Sequence, residues 1–284
     1  MPRCLFATDL HGDVERYEKL WALLTDDPPA ALFLGGDLLP GLPWSTDQPA
    51  DDFVHSYLLE RLAAVRSALG AAYPRIFVIL GNDDRKADEP AILAGEQTGL
   101  WEYAHMRRLT FGAHAVYGYA CVPPSPFLKK DWERYDVSRH VDPGCVAPEE
   151  GFRTVPVEEH VVRHATIDDD LQALAGTADL ARAIMLFHAP PYATALDRAA
   201  LDGRMIDHVP LDVHVGSIAI RRFIEQHQPR LTLHGHVHES ARLTGNWSDQ
   251  IGPTRCLSAA HDGPELAVIH FDPDAPAKAT RTLC

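Results

Sequence analysis

Carboxylates, imidazoles and one amide recur where short apolar runs of this sequence end. Asp9 and His11 follow the first run ("LFATDLH"), Asp37 the second ("LFLGGD"), and Asn82 with Asp83 and Asp84 the third ("VILGNDDR"). His188 closes "IMLFH", and "LTLHGHVH" carries His234, His236 and His238. Asp, His and Asn together suit borderline divalent ions such as Mn, Fe, Zn, Ni or Co better than Ca or Mg. The glycines beside them let the backbone approach closely. Singly, each has an ordinary explanation: "GNDD" is turn chemistry, since Gly, Asn and Asp favour turns. Their meaning depends on whether the fold brings them together.

The positioning elements are legible as periodicities. Residues 3–8, 30–34, 76–80, 183–187, 230–233, 255–259 and 266–271 are apolar runs of strand length. The early ones are nearly continuous, as expected of strands covered on both faces. Between them, Asp13 is placed to cap a helix running to Leu24, with Val14, Tyr17, Leu20, Trp21 and Leu24 on one stripe. A second helix is expected over 52–69, and a third after Ser217, closed by Pro229. Strand–helix alternation early and several strands late predicts an α/β sandwich with mixed sheets. In open α/β sheets ligands bind at the carboxyl ends of the strands, where these polar groups stand.

Residues 121–164 break the rhythm with Pro and charge. Their aromatics Phe127, Trp132 and Tyr135 predict an ordered flap inserted in one 284-residue domain. Lys129, Lys130, Trp132 and Arg134 form either a lid over a substrate or a solvated charge run. His214 is placed to reach an anion at the following helix N-terminus, or to lie at the surface.

Composition bounds the function. With 46% hydrophobic and 23% charged residues the chain is an ordinary globular one. A net charge of −14 argues against duplex nucleic acid as the main partner. No apolar run is long enough for a membrane helix, and Asp9 interrupts the N-terminal run expected of a signal peptide. The five scattered cysteines read as small buried side chains of a reduced, cytoplasmic protein.

The order D-x-H, G-D, G-N, H, G-H-x-H, spanning Asp9 to His238, resembles the calcineurin-like metallophosphoesterase superfamily. "FHAPPYATALD", "HVGSIAIRRFIE" and "LHGHVHES" are similar to Icc-related bacterial and archaeal phosphoesterases. The resemblance implies a four-layer α/β/β/α sandwich of two mixed β-sheets, with a dinuclear metal site at the strand ends. One ion would be held by Asp9, His11, Asp37 and His238, the other by Asp37, Asn82, His188 and His236, with Asp37 bridging. Two such ions activate a water and clamp the attacking and leaving oxygens of an in-line displacement on phosphorus. The implied activity is hydrolysis of a small phosphate ester, a diester first, with manganese among the suitable metals. Asn82, His214 and Lys130 are candidate substrate contacts. A phosphomonoesterase, a nuclease, or a binding protein on the same fold are the alternatives.

The pattern departs at Asp83, where the superfamily usually has a His that orients phosphate and protonates the leaving oxygen. An Asp beside two dications stays ionised and donates no proton. Asp83 then either biases the site toward phosphodiester monoanions or caps the turn beginning at Asp84.

Overall fold

The structure, a computed structural model, describes residues 3–41 and 53–284. One sheet is centred on three parallel strands, β1 (Cys4–Ala7), β2 (Ala31–Gly35) and β3 (Arg75–Ile79). β4 (Glu102–Tyr103) extends it beyond β3, and β13 (Ala267–Phe271) with β14 (Thr280–Leu283) adds an antiparallel pair beside β1. The second sheet runs β11 (Ser248–Ile251), β12 (Thr254–Ser258), β10 (Leu231–His234), β7 (Ala183–Phe187), β6 (His114–Tyr119) and β5 (Arg108–Phe111). Its four inner strands are parallel and its two edges antiparallel. A short hairpin, β8 (Met205–Ile206) and β9 (Val209–Pro210), stands apart from both sheets.

Period-two alternation explains the layering. Phe6, Phe33, Phe77, Ile184, Leu186, Leu231 and Leu233 pack as one buried cluster between the sheets. Their neighbours Leu5, Leu32, Val78, Met185 and Phe187 belong to a second cluster that includes the helices. Both faces of the central strands are therefore covered, which is why their sequences lack polar alternation. Phe33 stacks on Phe77 with ring centroids 5.0 Å apart, fixing the inner layer.

The helices form where their caps are placed. Asp13 accepts hydrogen bonds from Glu15 and Arg16 backbone N–H groups and starts helix Val14–Asp26, whose Tyr17, Leu20, Trp21 and Leu24 are buried. Ser217 caps helix Ile218–His227, which ends at Gln228 in a left-handed conformation just before Pro229. The helix expected over 52–69 is a wider π-type turn at Val54–Leu59 running into an α-helix at Glu60–Leu69, and its predicted start lies outside the described residues. Hydrophobic periodicity does not mark helices Glu89–Gln97 and Ile167–Ala175, or the strands β5, β6, β11 and β14. Among the described residues no helix is long and apolar enough to cross a membrane. The five cysteines form no disulfide; Cys4, Cys121 and Cys256 are buried as expected, whereas Cys145 is only partly buried and Cys284 is exposed.

Residues 121–164 are ordered by buried anchors rather than by long strands. Trp132 and Tyr135 are buried, and single bridges tie Val122 to Glu133 and Lys129 to Phe152. Lys130 corrects a sequence expectation. It is fully buried, with its ammonium held by Glu133 and the Ser125 carbonyl, and is not brought to a substrate surface. An unpaired ammonium there would be costly, so the neighbouring carboxylate fixes its direction inward. Arg134 likewise pairs with Asp170 at 3.0 Å, so these two cations do not form a lid.

His105 lies under this segment, edge-on to Trp132, and its Nδ1 accepts a hydrogen bond from Ala120 N–H at 3.0 Å. Burial, then the charges of Lys86 and Arg134, lowers its pKa from 6.5 to about 3. The unfolded chain takes up this proton near pH 6.5 while the folded chain does not, so the associated stability is present above 6.5 and lost as pH falls. His105→Gln, which keeps an acceptor for Ala120, should show a shallower loss of urea midpoint below that pH. Parallel loss in both proteins would assign the effect to other groups.

Candidate metal centre

The strand-end residues converge. One ligand atom from each of Asp9, His11, Asp37 and His238 lies within 4.8 Å of the others, and the same holds for Asp37, His188 and His236. Asp37 belongs to both groups. Asn82 adjoins the second, with its Oδ1 3.0 Å from His188 Nε2, which is also 3.2 Å from Asp37 Oδ2. In the first group His238 Nε2 stands 3.4 Å from Asp9 Oδ1 and 3.3 Å from His11 Nε2.

The loops hold these side chains with unusual backbone. Asp9, His11, Asp37 and His236 all have positive φ, between 47° and 74°. Such conformations are disfavoured for residues with a Cβ and persist only where surroundings enforce them, often at functional sites. The enforcement is visible. Asp9 N–H donates to Gly36 O, His11 N–H to Asp37 O, and His236 N–H to the Asp9 carboxylate at 3.1 Å. At Gly81 a side chain is excluded, since a Cβ there would meet the Asp37 backbone and His188 at 2.6 Å.

Asp84, to which the sequence assigns no role, fastens two of these loops. Its buried carboxylate accepts N–H groups from Gly81 at 2.8 Å, Leu38 at 2.9 Å and Leu39 at 2.7 Å. The turn at "GNDD" is therefore held by Asp84 and not by Asp83. Burial and then the neighbouring Asp37 charge push the Asp84 pKa up to about 7, opposed by the three N–H groups. An Asp three residues after a strand-end Gly, facing a second Gly-Asp loop, is the signal that would have pointed to it.

Asp83 is half-exposed. Its N–H donates to Asp37 Oδ1 at 2.7 Å, and its Oδ2 stands 3.5 Å from His11 Nδ1. Lys129 Nζ bonds the Asp83 carbonyl and lies 3.8 Å from its carboxylate. Asp83 thus faces the ring nitrogen of His11 opposite the one that faces His238, the place where carboxylates orient metal-binding imidazoles.

Among protein groups alone the electrostatics are strongly polarised. Burial opposes charge at His188, but Asp37 overrides it and raises the imidazole to about 10. Burial also opposes ionisation of Asp9 and Asp37, yet the histidines hold both carboxyls below the usual range. His236 is lowered to about 4 by burial and then by the His188 charge. His188 Nδ1 is engaged with Gly35 O at 2.8 Å, which turns Nε2 toward Asp37 and Asn82. Two nearly buried carboxylates, an amide oxygen and four imidazoles crowded within these distances form a donor set that fits two borderline cations sharing one carboxylate.

The other sequence candidates fall differently. His234 is buried against Phe187, with its nitrogens taken by Ala189 O at 2.9 Å and Thr232 Oγ1 at 2.7 Å, so it stays out of the cluster. His214 lines the adjoining cavity, but its Nδ1 is held by buried Asp197 at 2.8 Å. The helix N-terminus after it does not await an anion, because the Asp136 carboxylate already accepts from Ser217 Oγ, Ile218 N and Ala219 N.

No curated protein matches the chain. Among solved structures, TT1561 of Thermus thermophilus is 18% identical, with 99% of this chain and 98% of that one covered and a TM-score of 0.58. A dimetal phosphatase from Danio rerio (12% identical, 95% and 93% covered, TM-score 0.48) and an archaeal phosphodiesterase (7% identical, 99% of each covered, TM-score 0.45) are more distant. The likeness to TT1561 is one of fold. The model of the calcineurin-like phosphoesterase family matches residues 2–240, a stretch that takes in all seven converging residues. Members of that family depend on a dinuclear metal centre, and this chain, with two mixed sheets and its clustered Asp, Asn and His side chains, belongs to it.

Proposed function

We propose that the protein is a two-metal phosphodiesterase. Asp9, His11, Asp37 and His238 hold one ion, and Asp37, Asn82, His188 and His236 hold the other. The observation that carries this reading is the meeting of two donor clusters at one shared, buried carboxylate. When bound, the ions activate a water for in-line attack and neutralise the equatorial oxygens of the phosphoryl group. The chain itself supplies orientation. Gly35 fixes His188, the His236 N–H fixes Asp9, and Asp83 faces His11. These residues and the flap are read as parts of one catalytic domain over 1–284.

The test is turnover of bis- and mono-4-nitrophenyl phosphate after loading with Mn, Fe, Zn, Ni or Co. Metal-dependent release of nitrophenolate from the diester is expected. Its absence under every metal would favour a binding protein on this fold.

Preference for diesters follows from charge. A monoester dianion brings one more unit charge toward Asp83 than a diester monoanion does. At about 6 Å and an effective dielectric near 20–40, that repulsion is roughly 1–3 kcal/mol. Exposure of Asp83 and the nearby Lys129 favour the lower end. Asp83→Asn should therefore raise the monoester-to-diester ratio of kcat/KM about fivefold, for the ~1 kcal/mol the charge contributes. An unchanged ratio would remove Asp83 from substrate selection.

A further inference from the structure

The candidate metal centre opens into a cavity of about 670 Å³, far larger than a phosphoryl group requires. His11, Asp37, Asn82, Asp83, His236 and His238 line one end. The wall beyond them comes from three separate places: the flap, the hairpin β8–β9 with its flanks, and the loop after β7. It is mainly apolar, with Pro124, Phe127, Pro143, Leu201, Ile206 and Leu211 along it. Phe127 and Ile206 are exposed, as a surface kept for a ligand would be. Flap and hairpin meet over the cavity at Gly144 and Ile206. Gly144 has φ +86°, and a Cβ built there would collide with Ile206 Cδ1.

The charges on the wall narrow the occupant. Among the described residues lining the cavity, Arg204 is the one Arg or Lys, against Asp83, Asp136, Asp142, Asp212 and Glu239. Asp136 is engaged by the helix N-terminus, and Asp212 accepts the Tyr192 hydroxyl at 2.6 Å. Away from the metal end the wall therefore offers little to a second phosphate or a carboxylate, and much to an uncharged apolar body.

Resting on the phosphodiesterase reading, we propose that this cavity selects substrates: diesters carrying one bulky, uncharged, aromatic-sized ester arm and no second phosphate. The reacting phosphorus lies at the metal end, and the arm lies between Phe127 of the flap and Ile206 of the hairpin. Water leaves the apolar wall when the arm enters.

Three diesters with one leaving group, 4-nitrophenolate, test this: the methyl, phenyl and 4-carboxyphenyl esters. The phenyl ester should exceed the methyl ester in kcat/KM by at least about tenfold, the range a few apolar carbons give in a fitted pocket. The carboxyphenyl ester should fall back toward the methyl one. Phe127→Ala combined with Ile206→Asn should narrow the phenyl-to-methyl ratio. Calorimetric titration of the metal-loaded protein with diphenyl and dimethyl phosphate reads the same preference as binding, through a more negative heat-capacity change for diphenyl phosphate. A phenyl-to-methyl ratio near one, or equal rates for phenyl and carboxyphenyl esters, would overturn the arm assignment while the hydrolase reading stands. No metal-dependent turnover of any ester would overturn the hydrolase reading and this inference with it.

Discussion

Asp37→Asn is expected to lower diester turnover by more than about 100-fold, beyond the range seen when groups that merely orient a ligand are lost. Asp37 is the residue common to both donor clusters. Asn keeps its volume and an acceptor for the Asp83 N–H, so the loop has no steric reason to move. It loses the charge that draws His188 to 3.2 Å and the second oxygen needed to reach both ions. Two measurements belong together: kcat/KM on bis-4-nitrophenyl phosphate, and metal content after dialysis. The variant should show both values reduced with the circular dichroism of the folded wild type, and a lower urea midpoint because His188 loses its buried partner. Wild-type metal content in an inactive variant would shift the role of Asp37 from holding the ions to another function. Wild-type activity would contradict a bridging role outright.

Asp84→Ala should produce the larger loss of stability, about 3 kcal/mol or more, because it leaves three buried backbone N–H groups without an acceptor at roughly 1–3 kcal/mol each. The cost falls on the loops that carry Asp37 and Asn82, so metal affinity should fall with stability. Asp84→Asn retains one acceptor oxygen and removes a charge that burial already disfavours. It should lose much less. Urea unfolding of both variants separates the effects. Equal losses in Ala and Asn would mean that the charge, not the hydrogen bonds, holds these loops.

The parts of this structure readable from sequence share a physical cause. Central strands buried on both faces must be continuously apolar, so β1, β2, β3 and β7 stand out. Helix Val14–Asp26 carries its cap in Asp13 and its buried stripe in Tyr17, Leu20, Trp21 and Leu24. Edge strands lack that signature: β5 is largely solvated and β14 mostly exposed, so neither shows a hydrophobic run. Lys130 misled for a similar reason. In sequence it sits in a charged stretch, and only the buried Glu133 beside it turns the ammonium inward.

At the centre, strand-end position marks a wider set that includes His234, Asp83 and Asp84; the family resemblance picks out the seven converging residues, and their geometry requires the folded loops. The positive φ values at Asp9, His11, Asp37 and His236 are not readable from sequence, because Asp and His are enriched in left-handed backbone yet few of them adopt it. Asp83 and Asp84 are adjacent acids with opposite environments. Asp84 is buried against three N–H donors, and Asp83 faces the cavity and His11. A single string, "GNDD", could not separate them.

Two cations sharing Asp37 would be directly visible. Anomalous diffraction from crystals of the Mn-loaded protein tests this sharing most directly. Two peaks are expected, one among Asp9, His11, Asp37 and His238 and the other among Asp37, Asn82, His188 and His236, at about the 3.5–4 Å separation of two-metal sites. No peak in either cluster, or two peaks without Asp37 between them, would contradict it.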